Sequence, residues 1–373
     1  MGSSMHGEAA SQSEGEARDW VDHRKDPAAW AKELGISREA VDLYLDSDVI
    51  DLHIDSFIWT RVFGYDLTKR HDRGLFGASF YSQVDFPRIL EAGVTGATWV
   101  ITTNPARVAT ERKSTFKENL AQLRSIFDSV SDEFQVVTSA AEYRAARAAG
   151  KHGAFIGIQG GNALDVAPDA LDAIPDRSVL RVTIVHLTSS ELGATSAPLK
   201  LKSDAGLTDR GRDYIRRLNE KKIFVDLAHI SRPGFWDALE VTDRSQPVLV
   251  THTGVCGVHD HWRNLDDDQI KAVANTGGTI GIMYEATFLG DSKWAGRADR
   301  IVDHLAHVVK VAGDDFASLG SDWDGAIVTP RDMPTCLELP ILVDKMLTRG
   351  LSPSTVRKIL GANFLRVVEA LRG

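Results

Sequence analysis

Ser47-Asp-Val-Ile-Asp-Leu-His-Ile-Asp-Ser56 is the stretch on which the reading of the chain turns. Apolar residues lead into it, so it reads as a buried strand, and residues two apart on a strand project from the same face. His53 and Asp55 therefore stand side by side at the strand's C-terminal end. One imidazole and one carboxylate in that position can hold a divalent cation, provided other strands bring further donors to the same point. The same pair also describes an ordinary polar strand end, so the rest of the chain has to decide.

Working outward, β-branched apolar runs alternate with longer amphipathic segments. Strands are expected at 48–55, 94–102, 154–158, 179–186, 223–229, 247–252, 279–284 and 317–322. Helical spacing separates most of them, at 115–130, 138–149, 208–221, 232–241, 266–276, 298–312, 336–349 and 353–371. Such alternation implies a parallel sheet, and eight strands at this spacing match an α/β fold with a single (β/α)8 TIM barrel. An open doubly wound sheet is the other architecture considered, but no Gly-x-Gly-x-x-Gly turn follows the first strand. The division expected is a disordered tail at 1–25, a short helical extension at 26–47 and the barrel domain at 48–373. Ser37 serves as a helix cap within the extension.

At 373 residues and 43% hydrophobic content the chain can bury a large core. A net charge of −9 and the lack of a Lys/Arg run argue against a nucleic-acid partner. Cys256 and Cys336 are the only cysteines, which excludes a disulfide framework and favours a reducing, cytoplasmic setting. No secretory signal is expected, because 1–16 is rich in Ser, Gly and Glu and has no apolar stretch. No apolar run reaches membrane-spanning length, so no membrane partner is expected.

The polar residues carry the functional reading. Gln159, His186, His229, His252 and Asp322 each sit at or just past the end of a different expected strand, with His53 and Asp55 sharing the first. In a barrel those ends converge on one mouth, where active sites are built. Imidazoles and carboxylates meeting there suit a zinc-type centre that lowers the pKa of a water. His229 and His252 would supply two nitrogens, and His53 with Asp55 the other end. Asp322, in Leu319-Gly-Ser-Asp-Trp-Asp-Gly325, is placed to take a proton and pass it to a leaving group. A plain glycine-rich turn is the alternative for that motif. Tyr284, closing the expected strand 279–284, is a substrate-binding candidate.

Six pieces in order resemble the membrane (renal-type) dipeptidases, the M19 peptidases of the amidohydrolase superfamily. They are Asp51-Leu-His-Ile-Asp55, Gly157-Ile-Gln-Gly-Gly161, Leu207-Thr-Asp-Arg-Gly-Arg212, Val225-Asp-Leu-Ala-His-Ile-Ser231, Pro247-Val-Leu-Val-Thr-His252 and Gly320-Ser-Asp-Trp-Asp-Gly325. The resemblance implies a metal-dependent hydrolase of a dipeptide or similar small carboxylated amide, working as a homodimer with zinc. It implies that His53 and Asp55 bind one metal and His229 and His252 a second. It also implies that His186 polarises the substrate carbonyl, Arg263 holds the substrate carboxylate and Asp322 shuttles the proton. A surface ion pair is the other reading of Arg263.

Gln159 departs from the family, which has a bridging glutamate there. An amide offers one neutral oxygen and an NH2 group that repels cations, so the second metal site is weakened. Asn162 stands where family members often carry histidine. The readings left open are one zinc ion, two zinc ions, or a barrel that binds without hydrolysing; deaminase or decarboxylase chemistry is a further alternative.

Other candidates read as structural. His259 and His261 belong to a rim loop, and His304 and His307 to a helix away from the mouth. Trp59, Arg61, Phe63 and Tyr65 alternate after the first strand as a substrate wall or lid packing. Asp266-Asp-Asp268 opens a helix, where acidic residues favour the dipole.

Overall fold

The computed structural model describes residues 20–74, 76–167, 169–198 and 205–373. Among them are nine strands: β1 (Ile50–Ile54), β2 (Gly96–Thr102), β3 (Phe134–Val136), β4 (His152–Gln159), β5 (Arg181–Thr183), β6 (Phe224–Asp226), β7 (Leu249–Thr253), β8 (Thr279–Ile282) and β9 (Ala317–Leu319). Every pairing is parallel, and β2 bonds directly to β4 while β1 bonds to β9. Eight strands thus close into the expected barrel, with β3 left over.

The sequence reading missed β3. Its place follows from strand length: β4 spans eight residues, whereas β5 covers its far edge only from Gly157 onward. The uncovered start of that edge pairs with β3 at His152, Gly153 and Ala154. Three residues are too few to show a period, so the sequence carried no signal for it.

Burial on both faces explains the apolar runs. On β1, Ile50, Leu52 and Ile54 join the apolar core while Asp51 and His53 share the opposite face. Phe155, Leu180, Phe224 and Leu249 pack with Phe364, Val367 and Val368 of the last helix. Glycine lets three strand ends crowd together. A Cβ at Gly281 or Gly320 would fall well inside contact distance of Thr251 O.

Several expectations are corrected. The expected strands 179–186, 223–229 and 317–322 stop at Thr183, Asp226 and Leu319, so His186, His229 and Asp322 lie on the turns beyond. Trp59, Arg61 and Phe63 lie on a helix, Phe57–Phe63, ended by Gly64 in the left-handed conformation. A further helix, Phe86–Glu91, starts from an Asp85 cap and Pro87. The last helical segment divides into Pro353–Arg357, a π turn at Lys358–Ala362 and Asn363–Arg372. The wide turn lies where Gly361 abuts Asp48 and Asn363 Nδ2 donates to Asp314 O and Ala317 O, both at 2.8 Å.

Two helices precede the barrel, Pro27–Leu34 capped by Asp26 and Arg38–Leu45 capped by Ser37. The expected tail falls outside the described residues up to position 19. His23–Lys25 forms a 3-10 turn, and the His23 ring stacks on Trp30 at 4.3 Å. Among the described residues no helix is long and apolar enough to cross a membrane.

Candidate metal centre

The barrel interior beneath the mouth is polar and densely bonded. Arg181 on β5, fully buried, donates from Nη1 to Asp226 Oδ2 at 3.0 Å and from Nη2 to His53 Nδ1 at 2.8 Å. Asp226 also accepts from Thr251 N and Ala228 N. Asp51 accepts from His53 N at 2.8 Å and Ser321 N at 3.1 Å, tying β1 to the turn after β9. This layer sets the direction of the groups above it.

His53 Nε2 is one of those groups. It is buried without a hydrogen-bond partner, and Asp322 Oδ1 lies 3.5 Å away. His53, His252 and Asp322 each offer a ligand atom within 4.8 Å of the others. His229 joins from the next turn, its Nε2 2.8 Å from His252 Nε2. Whichever imidazole donates in that contact, the buried His229 Nδ1 is left without a partner. Two imidazole nitrogens in contact, beside a His53 Nε2 without a partner, are a donor set that a metal ion would relieve, so the residues present fit one.

Backbone conformation supports the same point. His229 and Asp322 have φ of 65° and 62°, a left-handed region that L residues rarely occupy and that clusters at functional sites. Gly325 helps Asp322, because a Cβ there would collide with the Asp322 carboxylate.

Burial sets the protonation states. It drives His53, His229 and His252 well below the usual imidazole value, helped by neighbouring cationic groups, and takes His186 down to about 3. All are therefore uncharged, and since Arg181 donates to His53 Nδ1, the His53 proton sits on Nε2, where a bound cation would replace it. Burial, with the Asp55 charge beside it, pushes Asp322 well above the carboxylate range. Burial lifts Asp55 to about 7. Clustered buried carboxylates behave so when no cation offsets them.

Asp55 lies beside the convergent trio rather than within it. Thr102 Oγ1 donates to its Oδ1, and Gln159 Nε2 donates to its Oδ2 at 3.3 Å. Gln159 Oε1 is buried with no partner. Arg263 is 4% exposed, so it is not a surface residue; Nη2 donates to His252 O at 2.7 Å and Nε has no partner. The His186 ring stands edge-on to His229 at 4.7 Å. Tyr284 is wholly buried, its hydroxyl unpaired and its ring edge-on to Trp323.

His259 and His261 stay on the rim, where His261 stacks on Phe288. Beside His186 opens a cleft of ≈ 570 Å³ lined by Ile58, Arg61, Thr103, Asn104 and Asn119 among others. Sequence reasoning passed over Arg181, Asp226 and Asp51. The available signal was a charge inside an otherwise apolar strand, which only a buried partner can support.

Comparison with known proteins bears on this arrangement. The profile of the membrane dipeptidase family, peptidase family M19, matches residues 37–372. The chain belongs to that family. Dipeptidase tcpJ of Claviceps purpurea is 28% identical over 257 residues, which are 69% of this chain and 60% of that one. The uncharacterised dipeptidase C3A11.10c of Schizosaccharomyces pombe is 30% identical over 214 residues, 57% of this M19 chain and 52% of that protein. The matches thus span little more than half the length of these relatives. A metallopeptidase from Rhodobacter sphaeroides, crystallised with a phosphinate mimic of the dipeptide L-Ala-D-Ala, shares the fold at a TM-score of 0.76. It is 23% identical, with 87% of this chain and 100% of that one covered.

Proposed function

We propose that this M19 chain is a zinc-dependent hydrolase that cleaves the amide bond of a dipeptide or a similarly small carboxylated amide. The observation that carries the reading is the convergence of His53, His252 and Asp322, with His229 against His252, at the mouth of the barrel. The dipeptide scale is supported by the family and by the dipeptide mimic held by the Rhodobacter relative. Two free cysteines and the family resemblance support a cytoplasmic homodimer as the setting.

His53, His252, Asp322 and His229 would hold the ion, which supplies Lewis acidity and an activated water when bound. Gln159 gives the neighbouring position a neutral oxygen, and both Asp55 oxygens already accept hydrogen bonds, which favours one ion over two. His186, neutral at pH 7, donates its N–H to the carbonyl oxygen as negative charge develops there. Arg263 offers a buried guanidinium with an unpaired Nε to the substrate carboxylate. Tyr284 offers its unpaired hydroxyl to the same ligand. Asp322 holds the proton and passes it to the leaving amine.

Metal content of the purified protein and of Gln159→Glu, read beside hydrolysis of a dipeptide panel, tests this. About one zinc per chain with hydrolysis is expected, and a rise toward two in the variant. Metal below about a tenth of an equivalent after metal-supplemented purification overturns it. Ligand binding that survives chelation, with no hydrolysis, would instead support a non-hydrolytic barrel.

A further inference from the structure

The cleft beside the metal centre is walled by the helices Phe57–Phe63 and Ala109–Asp128 and the segment after β2. It shares His186 and Thr102 with the centre, and Thr102 is the residue that donates to Asp55. A ligand whose reacting amide sits by His186 therefore has this cleft as the neighbouring space for a side chain.

Among the lining residues Arg61 and Arg107 are cationic and Glu118 is anionic, and Arg61 is the one bonded to Thr102, which donates to Asp55. Its Nη2 donates to Thr102 O at 2.9 Å, and its Nε is buried with no partner. Phe57 lies under the guanidinium at 5.3 Å and keeps it aimed. Burial lowers its pKa, with Asp55 opposing, yet it remains cationic at neutral pH. Arg61 is half-buried, and a partly desolvated guanidinium whose buried Nε lacks a partner gains when an anion meets it. Asn104, Asn119 and Thr103 add neutral polar groups to the wall, whereas Ile58 and Val62 supply apolar surface suited to a methylene stem.

We propose that this cleft is a specificity subsite for an acidic side chain, with Arg61 as its counter-charge, so that the preferred substrate carries Asp or Glu. The proposal rests on the hydrolase reading for its kinetic form, but its binding form stands independently of turnover.

The test compares alanine dipeptides carrying Glu or the isosteric Gln at either position, on the wild type, Arg61→Met and Arg61→Lys. In the wild type, kcat/KM for the better Glu dipeptide is expected to exceed its Gln partner by about tenfold or more, the usual worth of a hydrogen-bonded charge pair. Arg61→Met should bring that ratio close to one, and Arg61→Lys should retain part of it. A wild-type ratio near one, or a ratio that survives in Arg61→Met, overturns the proposal. Calorimetric binding of the same Glu and Gln peptides to each protein with its metal chelated decides the matter if no dipeptide is hydrolysed. A Glu preference that vanishes in Arg61→Met then supports the subsite while the hydrolase reading fails, and equal binding rejects the subsite.

Discussion

Asp322 joins the metal cluster and the proposed proton path, so a test of the proton role is read beside the metal content of the variant. Its φ of 62° is one that Asn adopts at least as readily as Asp, so Asp322→Asn keeps the turn and removes the charge and the proton acceptor. The kcat is expected to fall by about two orders of magnitude or more with little change in melting temperature. An unchanged kcat removes the proton role. Gln159 was legible at this scale because one amide in a carboxylate position changes what a cation meets. Arg181 signalled only that some buried partner exists, because a single arginine in an apolar run does not say that His53 and Asp226 receive it.

Among elements, the ends of β7, β8 and β9 are the most constrained. Gly320 packs so closely on Thr251 O that no side chain fits, and two residues later the chain must present Asp322. Gly320→Ala is expected to destabilise by about 3 kcal/mol or more, since overpacking a backbone contact cannot be relieved by rotamer change. Denaturant unfolding of the variant measures it, and a loss below about 1 kcal/mol would mean that the strands can separate. The strands themselves were readable from their apolar runs, apart from β3. Their ends were not, because the same apolar, β-branched residues continue past the end of the strand, as at Ile184 and Val185 after Thr183.

At the scale of the whole molecule, two structural histidines couple stability to pH. His152 accepts from Trp99 Nε1 at 3.2 Å and therefore donates from Nδ1 to Val94 O at 2.9 Å. His304 accepts Val255 N on Nδ1 and donates from Nε2 to Leu289 O, joining the loops after β7 and β8. Burial holds each down at about 4, only partly offset by the carbonyl it faces. Between pH 6.5 and about 4 the unfolded chain takes up protons that the folded one refuses, so the stability each contributes above that window is lost as pH falls through it. The buried Asp51 and Asp55, lifted to about 7 by burial, act in the opposite sense, because their contribution is lost as pH rises toward 7. A variant comparison separates the two. Gln at position 152 can accept and donate as the neutral ring does, so His152→Gln should lose less stability than the wild type between pH 6.5 and 4, by up to about 3 kcal/mol. Parallel pH profiles for the two proteins would show that His152 titrates freely.

The sequence by itself determined the strand–helix alternation and the barrel that it implies, apart from the short β3 and the two helices Phe57–Phe63 and Phe86–Glu91, because period and parallel pairing are properties of the chain taken in order. Tertiary structure decided the rest. It grouped His53 with His252 and Asp322 and left Asp55 with Thr102 and Gln159, since distances across a barrel depend on how far each strand runs and how each turn bends. It also placed Arg61 beside the centre, where a helix replaced the alternating wall expected after β1, and its place in the cleft with an unpartnered Nε turned that arginine into a candidate for recognition.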